Sequence, residues 1–101
     1  MFLFKADLGE DRLVTSIGTK GNNYGPRYVS RYNISVSEDG VIFLPACGMN
    51  DSCTFTGNND DTTLVINPFE VPVVARFVRL VVEDFYLDVK LKWAVFGCPL
   101  V

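Results

Sequence analysis

The chain contains no histidine, a single tryptophan and three cysteines among its 101 residues, and its 9 lysines and arginines are outnumbered by 12 aspartates and glutamates. Without histidine the commonest general base is missing. Neither a nucleophile-elbow serine nor a glycine-rich phosphate loop takes its place. The paired carboxylates Glu83/Asp84 and Asp60/Asp61 are adjacent in sequence, so on an extended chain they point to opposite faces and cannot act on one substrate. An enzyme is not expected. A net charge of −3 argues against a nucleic-acid partner, which normally needs a basic patch, and weakens simple attraction to anionic membranes. No run is long enough to cross a bilayer as a helix: the most apolar stretches are broken by Pro72, Arg76 and Arg79. With three Cys and no His a zinc site is not expected, and no metal or other cofactor is implied. Asn58-Asn-Asp-Asp61 offers oxygen ligands suited to Ca²⁺, but it lacks the spacing of a calcium loop and reads as a turn.

Strand formers fill the space that helix formers leave. Hydrophobic residues make up 49% of the chain and include eight Phe, enough for one sizeable core, and the length suits one domain. Short β-rich runs alternate with turn signals, as in a sandwich or barrel. Expected strands are Phe2–Leu8, Arg12–Thr19, Tyr28–Ser37, Val41–Leu44, Thr62–Asn67, Val73–Glu83 and Val89–Phe96. In the clearest of them Tyr32, Ile34 and Val36 face inward, with Asn33, Ser35 and Ser37 outward. Gly21–Pro26 is a strong loop signal, Glu38-Asp-Gly40 a hairpin-type turn, and Pro68 and Pro72 mark a bend. The result is an all-β, mostly antiparallel sandwich.

Cys47 and Cys53 bracket the turn-forming stretch Gly48–Ser52. The spacing permits a disulfide, the expected reading, with two reduced thiols of a cytosolic protein as its alternative. Cys98 is then left over. Two glycosylation sequons, Asn33-Ile-Ser35 and Asn50-Asp-Ser52, both fall at accessible positions, and each triplet is common by chance.

The order of motifs resembles one family. Phe4-Lys-Ala-Asp-Leu-Gly9, Val14-Thr-Ser-Ile-Gly-Thr-Lys-Gly21, Tyr28-Val-Ser-Arg-Tyr32 with Ser37-Glu-Asp-Gly40, Phe55-Thr-Gly-Asn58 with Asp60, Pro72-Val-Val-Ala-Arg-Phe-Val-Arg79 and Phe96-Gly-Cys98 resemble, in sequence order, the motifs of the discoidin family, the coagulation factor V/VIII type C domain. The resemblance implies a jelly-roll sandwich of about eight strands whose loops at one end form binding spikes. It assigns residues 1–98 to a partial domain and 99–101 to a short tail. It also implies that the family's opening strands, about 45 residues, are missing, and with them the cysteine that pairs with Cys98. Cys98 is thus expected to be unpaired by truncation, and the absence of a signal peptide to share that cause. An uncovered sheet edge with poor solubility or dimerisation is expected to follow. The family's Arg and Glu of the final strand appear here as Lys92 and Ala94, and the Cys47/Cys53 pair is additional to the family's framework disulfide.

The loop Gly21–Arg27 corresponds to one spike, and the residues expected to touch ligand are Asn22, Asn23, Tyr24 and Arg27: amides, an aromatic face and a cation. Asp7 is expected to order a turn, Arg76 and Arg79 to pair structurally, and Trp93 to lie in the core. The function implied is an extracellular adhesion or recognition module for a cell-surface lipid, glycan or protein, secreted or in an ectodomain, and part of a larger multidomain protein. The alternatives are a structural interaction domain with no small ligand and a carbohydrate-targeting appendage of an extracellular enzyme.

Overall fold

The computed structural model describes residues 2–21, 27–89 and 91–100. Its elements are β1 (Leu3–Lys20), β2 (Tyr28–Ser37), β3 (Leu44–Ala46), a single 3₁₀ turn (Met49–Asp51), β4 (Phe55–Thr56), β5 (Val65–Tyr86) and β6 (Lys92–Pro99). All pairings are antiparallel, in the order β3-β2-β5-β1-β6, with β4 beside β2.

Two strands are far longer than the others, and both bend. The first part of β1 pairs with the second part of β5, Leu3↔Val81 to Asp7↔Phe77. After a register break the rest of β1 runs from Arg12↔Ala75 to Thr19↔Val65. β2 pairs with β5 only over Tyr28↔Tyr86 to Ser37↔Phe77, whereas β6 pairs only with the later part of β1. The sheet therefore folds over on itself into two layers that share β1 and β5. Gly9, at φ +85°, sits in the β1 break, a conformation that suits glycine. Residues 69–72 bulge out of register between Pro68 and Val73; a proline at each end explains the irregularity, since neither can donate to the ladder. The expected strands Phe2–Leu8 and Arg12–Thr19 are thus one continuous strand, as are Thr62–Asn67 and Val73–Glu83, with the bend expected at Pro68 and Pro72 lying inside it.

Tyr32, Ile34 and Val36 of one layer meet Val14, Ile17 and Ala75 of the other, all buried, together with Val78 and Leu80. Each large apolar side chain buried in this way contributes about 1.5–3 kcal/mol. Trp93 and Val95 pack against this core from β6, as their alternation with Lys92 and Ala94 predicts. Two expected strands move: Val89–Phe96 becomes Lys92–Pro99, and Val41–Leu44 becomes Leu44–Ala46. The Asp39 carboxylate accepts the backbone N–H of Val41 (2.8 Å) and Ile42 (3.0 Å) and the Ser37 hydroxyl (2.9 Å), which curls 38–42 into a turn and delays pairing. These donors hold the Asp39 carboxyl below the usual range, led by the Val41 and Ile42 amides.

Candidate functional site: the loop end of the sandwich

The end of β1 (Lys20, Gly21) and the start of β2 (Arg27, Tyr28), the β4–β5 connection (57–64), and the end of β5 and the start of β6 come to one end of the molecule. The antiparallel register requires it: Lys20 lies opposite Lys92, and Tyr28 opposite Tyr86. Asn58 fixes the base of this end. It is 3% exposed, and its Nδ2 donates to the carbonyls of Thr19 (3.0 Å) and Thr63 (2.7 Å). Its backbone N–H donates to Val29 (2.9 Å), and that of Gly57 to Ser30 (2.8 Å). The 57–64 turn is therefore pinned to the end of β1 and the start of β2 at once. Gly21 allows the close fit: a Cβ there would stand 2.5 Å from the Asp61 Cα and 2.7 Å from the Arg27 carbonyl oxygen.

Asp60 orders the same turn. Its carboxylate accepts the N–H of Thr63 (2.8 Å) and Thr62 (3.1 Å) and the Thr63 hydroxyl (2.8 Å), which lowers its pKa, the Thr63 amide being the largest cause. Asn58 and Asp60 thus act as turn formers. Among the described residues no three acidic or sulfur-bearing side chains gather as a metal would require.

The rim carries chemistry that sequence spacing does not reveal. The Tyr28 and Tyr86 rings stack with centroids 5.4 Å apart, and Tyr86 and Leu87 are exposed. Leu87 holds φ +66°, an outlier for a leucine and a mark of a constrained loop. Lys20 and Lys92 face each other on neighbouring strands with no ion pair among the described residues; like charges in that relation repel. Leu64 is exposed beside them. Only cross-strand register unites these residues, and register is what local pattern leaves open.

Of the expected ligand contacts, Asn22, Asn23 and Tyr24 lie outside the described residues, and Arg27 is half-buried where the loop rejoins β2. The other expected residues are spread over the molecule. Cys47 and Cys53 form a disulfide, and Cys98 is a free, exposed thiol. Asn50 is exposed on the 3₁₀ turn, whereas Asn33 is half-buried on the outer face of β2. Asp7 orders its turn by accepting the Gly9 N–H (2.8 Å) and pairs with Arg76 at 2.9 Å. This pair is solvent-exposed rather than buried. Arg79 donates from Nε to the Ser35 hydroxyl (3.1 Å) and stacks on Phe43.

The F5/8 type C domain model matches residues 4–94. The chain belongs to this family. It is 33% identical over 100 residues to neuropilin-1 of Gallus gallus, a match covering 95% of the chain and 11% of that protein. It therefore spans a small part of the curated relatives it matches. Discoidin II of Dictyostelium discoideum superposes with a TM-score of 0.85 at 19% identity, over 98% of this chain and 38% of that one. A carbohydrate-binding module of Clostridium perfringens, CBM32-5, solved with GalNAc-β-1,3-galactose, gives a TM-score of 0.71 at 21% identity, over 94% of this chain and 65% of that one. The jelly-roll sandwich expected of an F5/8 type C domain is the fold observed.

Proposed function

We propose that this F5/8 type C chain is a non-enzymatic, extracellular recognition module that binds a cell-surface ligand at the loop end. The observation that carries the reading is the convergence of the strand ends flanking the β1–β2 and β5–β6 connections with the 57–64 turn. Asn58 ties the end of β1 and the start of β2 to that turn. At the rim stand an exposed Tyr86 stacked on the half-buried Tyr28, and two lysines with no ion-pair partner among the described residues. Rigid scaffolds that present loops are the usual platform for recognition. Stacked aromatic faces suit sugar rings or acyl chains, and the Lys20/Lys92 pair favours a ligand with negative charge. The Cys47–Cys53 disulfide fits an oxidising compartment, and the sugar complex of the Clostridium module makes a glycan the first ligand to try.

The test compares the domain with Tyr86→Ala and with a Tyr24→Ala, Arg27→Ala variant, on a glycan array and on vesicles with and without phosphatidylserine. Binding that falls about tenfold or more in these variants supports the reading. Binding unchanged in both removes the loop end. No binding of the wild-type domain to sugar or vesicle would instead favour a structural interaction domain.

A further inference from the structure

A second polar groove lies away from the loop end, on the outer face of the β2–β5 layer. We propose that it is a binding site for a saccharide bearing an anionic substituent, a sulfate or a carboxylate. The groove, about 480 Å³, is floored by Asn33, Ser35 and Val81 and walled by Phe43 and Pro45. Cross-strand register explains its composition. Lys5, Arg79, Ser35 and Pro45 form one row across four strands, and Leu3, Val81 and Asn33 form the next.

Two cations are therefore adjacent on neighbouring strands, and both lean on Phe43. The Arg79 guanidinium carbon lies 4.1 Å from the ring centroid and the Lys5 Nζ 5.7 Å from it. Arg79 spends Nε on Ser35. Its terminal nitrogens make no hydrogen bond, and neither cation has a carboxylate partner, among the described residues. In a chain of net charge −3 this is a local positive site, held in place by ring and hydroxyl and able to form charge-assisted bonds to an oxyanion.

The rest of the groove selects the kind of molecule. Asn33, Ser35 and Thr54 offer amide and hydroxyl groups, Phe43 and Pro45 an apolar wall, and Glu83 an acceptor at the margin. That mix matches hydroxyls, the C–H face of a sugar, and one charged substituent at the Arg79 end. A peptide adding as a strand is disfavoured, because the floor strands β2 and β5 are paired with each other and present no open edge.

The experiment uses the full chain, secreted to a bacterial periplasm so that Asn33 carries no glycan. It is titrated with a sulfated galactose disaccharide, a uronic-acid disaccharide and the neutral disaccharide, read by calorimetry and backbone-amide NMR. At least one anionic sugar is expected to bind about tenfold tighter than the neutral one, shifting Asn33, Ser35, Phe43 and Arg79. Lys5→Gln, at an exposed strand position, should keep the fold and weaken the anionic sugar about fivefold while leaving the neutral one unchanged. Arg79→Gln should weaken it further, with near-native amide spectra as the check on folding. Equal affinity for charged and neutral sugars, an unaffected Lys5→Gln variant, or shifts confined to Tyr28, Tyr86 and their neighbours would overturn the proposal.

Discussion

Asp7 and Arg76, 69 residues apart, meet in a two-point ion pair: Nε to Oδ1 at 2.9 Å and Nη2 to Oδ2 at 3.1 Å. Asp7 is the last paired residue of β1 before its register break, and Arg76 follows the first paired residue of β5 beyond it. The pair therefore braces the point where both long strands cross between layers. The Arg76 hydrogen bond is the leading reason that Asp7 titrates below the usual carboxylate range, followed by the Gly9 amide. A carboxyl depressed in the folded state stabilises the fold above its unfolded pKa, and that contribution fades as pH falls through the folded value. Asp7→Asn should therefore flatten part of the loss of stability below about pH 4 while changing little near neutrality beyond the missing pair. Asp39 and Asp60, also depressed, keep the remainder of the acid slope. Thermal midpoints from pH 2 to 7 measure it; identical acid slopes would refute the role of Asp7.

The disulfide gives a second prediction. Cys47 and Cys53 are six residues apart and hold the 3₁₀ turn, whose Gly48 bridges to Phe69 of β5. Closing so short a loop stabilises by about 2 kcal/mol on the chain-entropy model. A Cys47→Ser, Cys53→Ser variant should lose about that much in urea titration and retain its β-sheet circular dichroism. Thiol titration of the native protein should report one equivalent, from exposed Cys98; three would mean that the bridge is open.

The two sequons are not equivalent. Asn50 is exposed at φ +59° on the tip of the disulfide loop, a conformation asparagine tolerates well. Asn33 is half-buried in mid-strand, opposite Val81. In a eukaryotic secretory host one glycan is expected, on Asn50. The glycosidase-sensitive mobility shift should vanish in Asn50→Gln and persist in Asn33→Gln; the reverse pattern would overturn the assignment.

Asn58 supports a prediction about the loop end itself. Its amide feeds two carbonyls in a buried position, so Asn58→Ala leaves both without their donor, at a cost of about 2–4 kcal/mol. Asn58→Asp should be worse, because a carboxylate would face the same two oxygens. Chemical denaturation ranks the variants, and an Asp variant as stable as wild type would show that the amide does not hold the turn.

How far these features could be read in advance depends on how local they are. Alternation along Tyr28–Ser37 placed Tyr32, Ile34 and Val36 inside, because a strand face repeats every two residues. The Asn-Asp-Gly turns were legible from side-chain capping chemistry. The continuity of β1 and β5 was not, since Gly9 and Pro68–Pro72 signal a break equally well whether the chain turns back or bends onward. The Lys20/Lys92 pair, the Tyr28/Tyr86 stack and the Lys5–Arg79 row were also hidden, because each exists only through pairing between distant strands.

Gly97 tests that pairing most directly. It lies opposite Val14, and a Cβ built on it would collide with the Leu13 carbonyl oxygen. This collision is with backbone of the neighbouring strand, so no rotamer change can relieve it. Gly97→Ala should push β6 away from β1, lowering stability by at least about 2 kcal/mol and exposing Trp93, which packs against the core from the same strand. Gly9→Ala is the matched control: it meets no atom within 4 Å and bears only the cost of its φ of +85°, about 1 kcal/mol. As Trp93 is the sole tryptophan, its emission should move to the red in Gly97→Ala and stay put in Gly9→Ala. Equal losses in the two variants, with unmoved emission in both, would mean that close approach of β6 to β1 is not what requires glycine at position 97.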